Sequence, residues 1–183
     1  MSLGEDFIED FFKSQKITYR REEQIHGLQY DAKSHRIADF YLPDYRVYVE
    51  YYGQWNIESQ KNRYREKKQV YQNNQLPCII LYPENLGVIT YIFPKRMFEV
   101  LKRYRMDREL KKYKWKLMLE NKGFRLLLLA FALLVIGSTY PWKNDKTWLW
   151  VGLAFTLYQS YLFRKEYRTL FYKEQVFTTF FEK

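Results

Sequence analysis

Asp39 and Glu50 stand in two short β-rich runs, HRIADFYLP and YRVYVEYYG, separated by little more than Asp44 and Tyr45. Two such runs around a tight turn predict a β-hairpin. With an even-numbered loop centred on Asp44 and Tyr45, Phe40 faces Val49 and Leu42 faces Val47 on one apolar side. On the other side Tyr41 meets Tyr48, and Asp39 meets Glu50. Facing residues bring their Cβ atoms to about 5 Å, and like charges there destabilise a sheet. Two carboxylates converging in this way call for a cation. The donor set is hard oxygen, suited to Mg²⁺ with water and substrate phosphate completing the shell. An odd-numbered loop would put the acids on opposite faces and remove the site.

The elements that must hold this hairpin can be read from the flanking residues. Ser2 and Glu5 form a capping-box pattern, and Phe7, Ile8, Phe11 and Phe12 set an apolar stripe on a first helix. ITYRREEQI reads as an extended run before the hairpin. Residues 57–74 read as a polar helix with Tyr64, Lys67, Lys68 and Tyr71 on one face. LPCIILYPENL reads as a central strand buried on both faces. GVITYIF fits either a strand or a helix, and a long basic helix is expected from Phe93 to Glu120. The expected order through residue 86 is therefore αβββαβ.

This combination resembles the PD-(D/E)XK, or restriction-endonuclease-like, nuclease superfamily. The resemblance rests on Glu5 in the first helix, Asp39 in IADFYLP, Glu50 in VYVEYYG and the element order. It covers about residues 1–86. It implies that Asp39 and Glu50, assisted by Glu5, bind one or two divalent ions, Mg²⁺ or Mn²⁺, and that a lysine steadies the attacking water or the scissile phosphate. Two positions depart from the family pattern. Ala38 replaces the usual proline, and Tyr52 stands where the lysine two residues after Glu50 belongs. Tyrosine is neutral near pH 7 and cannot supply that charge. The strand EYYG is similar to branches that borrow the lysine from the following helix, which points to Lys67, with Lys68 as the alternative. The implied catalytic set is Glu5, Asp39, Glu50 and Lys67, with Lys68, Tyr52, Gln54 and Tyr64 as substrate contacts. Simpler roles stand beside these: Glu5 also reads as a helix cap with Glu9 as the acid, and Tyr41, Tyr48 and Tyr52 as packing. Cys78 reads as a small buried hydrophobe, and His26 and His35 have no partner spacing.

Composition narrows the rest. With 47% hydrophobic and 20% aromatic residues the chain has ample surface to bury, and one cysteine excludes an internal disulfide framework. The net charge of +10 is local: residues 1–100 hold 14 basic and 14 acidic side chains, whereas residues 101–125 hold 10 and 3. Residues 126–142 and 147–163 carry no ionisable group other than tyrosine. Flanked by basic residues, with Tyr140, Trp142, Trp148 and Trp150 near the turn, they predict a two-span transmembrane hairpin with both termini cytoplasmic. The expected organisation is an α/β domain (1–92), a basic juxtamembrane helix (93–122), a transmembrane hairpin (123–165) and a cytoplasmic tail (166–183). The expected function is a membrane-anchored, metal-dependent endonuclease acting on nucleic acid, DNA in the first place, with the lipid bilayer as second partner. Two alternatives are a degenerate nuclease fold that tethers nucleic acid or a protein to the membrane, and an accessory subunit of a membrane complex; self-association is left open.

Overall fold

The computed structural model of the chain describes residues 2–120, 122–139 and 147–172. Helix α1 (Leu3–Ser14) starts where its capping box dictates: Ser2 Oγ accepts the Glu5 N–H, and the Glu5 side chain reaches back to the Ser2 N–H. Ile8, Phe11 and Phe12 are buried, while Phe7 is 48% exposed and lies off the packed stripe. Then follow β1 (Arg20–His26), β2 (His35–Leu42), β3 (Val47–Tyr51), α2 (Glu58–Asn73), β4 (Cys78–Leu81), α3 (Pro83–Leu86) and α4 (Ile89–Arg103). The first six elements run α1-β1-β2-β3-α2-β4, in the expected αβββαβ order.

The hairpin loop has four residues, 43–46, closed by Tyr45 N–H donating to Leu42 O at 3.1 Å, with Arg46 at a positive φ of 54°. The even loop sets the expected register: Phe40 pairs with Val49, Tyr41 with Tyr48 and Leu42 with Val47. Phe40, Leu42, Val47 and Val49 are all fully buried. The Phe12 ring meets Phe40 and Phe93 edge-on, each at 5.3 Å, so α1 and α4 close this core with aromatic packing. Gly4 lets α1 lie close to β3, because a Cβ there would sit 2.3 Å from the Tyr51 ring.

The sheet order is β1-β2-β3-β4, antiparallel except for β3 and β4, which run parallel through the α2 crossover. The expectation of a central, doubly buried fourth strand is thus corrected. Strand β4 is at the edge, with Ile79 and Leu81 buried and Cys78 and Ile80 only half-buried. Helix α2 is tied to the strap between β1 and β2 at two places. Arg36, 5% exposed, holds Asp31 through two bonds of 2.6 and 2.7 Å and Glu66 at 2.5 Å. At its far end Asn74 exchanges hydrogen bonds with the Gln29 backbone.

The long basic helix is also corrected. Residues 89–120 form two helices, α4 and α5 (Asp107–Glu120), broken around Arg105, whose φ is 53°. Helix α5 begins by docking on the hairpin turn: Glu109 receives Arg46 at 2.5 Å, Lys112 reaches Asp44 at 2.6 Å, and Tyr113 lies edge-on to Tyr45. The chain divides into two compact units, Met1–Tyr113 and Lys114–Lys183.

In the second unit α6 (Lys122–Thr139) packs on α7 (Thr147–Tyr172), with Phe124 and Phe163 in contact at 5.2 Å and Ala130 buried. The transmembrane hairpin is not found: among the described residues no helix is long and apolar enough to cross a membrane. Helix α6 opens on Lys122 and carries Arg125 in its first turn, leaving residues 126–139, about 21 Å of helix, free of ionisable groups. Helix α7 offers residues 147–163, about 26 Å, before Arg164 and Lys165. Both fall short of a hydrocarbon core of about 30 Å. This finding contradicts the expected two-span anchor and, with it, the cell-membrane placement with cytoplasmic termini. The 140–146 turn and residues 173–183 of the expected tail lie outside the described residues.

Deleting the Phe12 ring opens a cavity where α1, β2 and α4 meet. Phe12→Ala should lose about 3–5 kcal/mol of stability in a denaturant titration; a loss well below 1 kcal/mol would show that this junction is not the core.

Candidate active site

Beyond Phe40 and Val49 the hairpin strands stop pairing. Strand β2 stays with β1 through His35, and β3 stays with β4 through Tyr51. Asp39 and Glu50 are the first residues past this parting, on the same face by register. Side chains serve two backbone groups there. Tyr51 N–H donates to Asp39 Oδ2 at 2.6 Å, and Ile37 O accepts from Lys67 Nζ at 2.8 Å. Opposite Asp39, between the Arg21–Phe40 and Glu23–Ala38 pairs, Glu22 holds a left-handed φ of 51°. Such strain persists only where surrounding contacts over-determine it, and it concentrates at functional sites.

Glu50 is 1% exposed. Lys67 Nζ binds its Oε2 at 2.6 Å, and the Tyr71 hydroxyl donates to its Oε1 at 2.8 Å. Both partners come from α2, one turn apart, on the face read from the sequence. Burial pushes the Glu50 carboxyl up to about 7; Lys67 opposes that rise and the Asp39 charge adds to it. Asp39 is also raised by burial, opposed by the Tyr51 N–H and Lys67, with the Glu5 charge adding to the rise. Glu5 is therefore within electrostatic reach of Asp39. Its carboxylate, however, stays on the helix cap with Ser2 and lies 3.7 Å from Arg21. Glu9 is taken by Tyr19, Lys13 and Arg21, which hold it down at about 2.

The structure thus brings Asp39, Glu50 and Lys67 together and leaves Glu5 at the rim. Among the described residues no group of three His, Cys, Asp or Glu side chains is close enough to form a metal site by itself. Two desolvated carboxylates with raised proton affinity still fit a divalent, oxygen-seeking cation, because the cation would relieve the burial and repulsion that raise them. Asp39 and Glu50 are the residues that would hold Mg²⁺ or Mn²⁺. Lys68 is exposed on α2 and does not reach the acids, so Lys67 is the lysine of this centre.

In comparisons with protein-family models, curated proteins and solved structures, nothing matches the chain.

The remaining expected residues separate by burial. Tyr52 projects from the Glu50 side of β3 but is fully buried, so it packs and does not meet substrate. Its hydroxyl is buried with no hydrogen-bond partner in the structure. Gln54 is exposed, and its N–H donates to the Tyr64 hydroxyl. Tyr71 is the Glu50 partner that sequence reasoning does not single out: its spacing puts it on the Lys67 face, but nothing in its type distinguishes a carboxylate partner from a core ring. His26 and His35 form an exposed cross-strand pair away from these acids in the register.

Two measurements test this geometry. Between about pH 4.5 and 7 the unfolded chain has released the Glu50 proton while the folded protein still holds it. The Glu50 contribution to stability is therefore fully present below about pH 4.5 and is lost as pH rises through about 7. Thermal melts without divalent metal should show this fall, and Glu50→Gln should flatten it; a Glu50→Gln curve parallel to the parent would sink the assignment. Removing the unpartnered hydroxyl by Tyr52→Phe should leave stability unchanged or raise it by about 1 kcal/mol. A clear loss of stability would mean that the hydroxyl has a partner in solution.

Proposed function

We propose that the chain is a metal-dependent nuclease that hydrolyses phosphodiester bonds of nucleic acid, DNA being the substrate to test first. The observation that carries this reading is the buried Glu50 carboxylate held by Lys67 beside Asp39, at the point where β2 and β3 part. It resembles the acid–acid–lysine centre of PD-(D/E)XK nucleases, with the lysine supplied by α2.

Asp39 and Glu50 supply the anionic oxygens on which a divalent ion would sit, and a bound ion would polarise the phosphate and lower the pKa of a water. Lys67 is the cation of the site. Held between Glu50 and the Ile37 carbonyl, its ammonium orients a phosphate oxygen or the attacking water and offsets negative charge developing on the phosphorus oxygens. Glu5 adds negative potential at the rim without needing to ligate. Tyr71 keeps the second Glu50 oxygen from swinging away. Substrate phosphates would be met by the exposed cations of α2, since residues 1–100 are neutral overall.

The full chain should nick plasmid DNA or cut single-stranded DNA with Mg²⁺ or Mn²⁺ and not with EDTA. Asp39→Asn and Glu50→Gln should abolish cleavage, and Lys67→Met should slow it at least about a hundredfold. Lys68→Met, which removes a phosphate contact and not a partner of Glu50, should cost far less than Lys67→Met and act through weaker substrate binding. No cleavage by a folded parent, or cleavage that survives both acid substitutions, would overturn the reading.

A further inference from the structure

Next to the acid–lysine centre, where β3 leaves for α2, four aromatic rings gather. Tyr52 is the buried one; it stacks on Tyr64 at 4.2 Å and 20°, and lies 6.2 Å and 25° from Trp55. Tyr82 stands edge-on to Tyr52 at 5.9 Å and tilts against Trp55 at 5.2 Å. Trp55, Tyr64 and Tyr82 are only half-buried. The cluster is continuous with the centre: Tyr52 follows Glu50 by two residues, and Tyr64 precedes Lys67 by one turn of α2. Hydrophobic packing accounts for Tyr52. It gives no reason for three more large rings to stay partly in water beside charged groups.

A second feature runs alongside. Lys61, Arg65 and Lys68 recur at i, i+4 and i+7 on α2, on the stripe that borders Tyr64. Lys61 is held by Glu58 at 2.6 Å. Arg65 and Lys68 are exposed and make no ion pair among the described residues. A row of cations beside half-buried aromatic residues matches a polyanion whose flat bases are free to leave their own stack. Single-stranded nucleic acid is such a ligand, whereas a duplex keeps its bases stacked and presents mainly phosphates.

We propose that this surface is a subsite for unpaired nucleotides. The sugar–phosphate chain follows Lys61, Arg65 and Lys68, a base stacks on Trp55 and Tyr64, and a neighbouring phosphate is delivered to Asp39, Glu50 and Lys67. The subsite rests on the nuclease reading and names its substrate class: single-stranded or locally unpaired nucleic acid.

The test is anisotropy of a fluorescein-labelled 20-nucleotide DNA and of its blunt duplex, with the full chain in EDTA so that binding is read without cleavage. The parent should bind the single strand at least about tenfold more tightly than the duplex. Trp55→Ala and Trp55→Leu should each weaken single-strand binding about tenfold while changing duplex binding little, and Trp55→Phe should retain most of it. The leucine variant keeps apolar bulk and guards against a folding defect, which circular dichroism reads directly. Arg65→Gln with Lys68→Gln should weaken both probes and flatten the salt dependence. Equal affinity for the two probes, no binding, or Trp55→Leu binding like the parent would overturn the subsite. Cleavage without strand preference would remove the subsite and leave the nuclease; strand-selective, Trp55-dependent binding without metal-dependent cleavage would do the reverse.

Discussion

Holding the Glu50 carboxylate at 1% exposure costs several kcal/mol unless its oxygens are met, and both groups that meet them, the Lys67 ammonium and the Tyr71 hydroxyl, come from one face of α2. The helix must therefore lie across β3 at a fixed height. The parallel crossover from β3 to β4 brings it over the sheet. The strap before β2 then pins it, with Arg36 bridging Asp31 and Glu66 and Asn74 clasping Gln29. Glu66 is the residue before Lys67, so the Arg36 bridge acts one position from the amine that serves Glu50.

The parting of β2 from β3 makes room for this arrangement. A fully paired hairpin would carry its ladder past Asp39 and Glu50 and leave no gap for an amine between the strands. Here Asp39 takes the Tyr51 N–H and Lys67 takes the Ile37 carbonyl, so the backbone groups at the gap are bonded although the ladder has ended. The same side chains thus serve as backbone partners and as candidate catalytic groups. At the opposite end of the hairpin, Asp44, Tyr45 and Arg46 are anchored by α5, so the loop that sets the register is itself held.

A tyrosine and not a lysine at position 52 fits this geometry. At a fully buried position under Tyr64 an ammonium would have to be desolvated, whereas Lys67 on α2 reaches the acid with its stem packed and its amine bonded twice. With the cation on α2, the strand position holds a buried aromatic ring. Around that ring lie the half-buried Trp55, Tyr64 and Tyr82 and the exposed cations of α2.

Local pattern sufficed for a good part of this protein. The capping box, the period-two runs and the even four-residue turn settled α1 and the hairpin register from Phe40–Val49 to Leu42–Val47, and the 3.6-residue spacing put Tyr64, Lys67 and Tyr71 on one face of α2 but wrongly added the exposed Lys68, because each depends on neighbours a few residues away. Long-range packing decided the rest. Nothing local placed β4 at an edge, since a short apolar run looks alike in the middle and at the border of a sheet. Nothing local broke the basic helix at Arg105 or kept Glu5 on its cap. The uncharged stretches 126–142 and 147–163 read as membrane spans when counted by residue. Helix α6, described from Lys122 to Thr139, takes in Lys122 and Arg125, and α7 takes in Arg164 and Lys165; where a helix begins is set by the fold and not by hydropathy alone. Which lysine reaches Glu50, and that Tyr71 meets its other oxygen, follows from how α2 crosses the sheet, a contact across 17 and 21 residues of sequence that only the tertiary structure could decide.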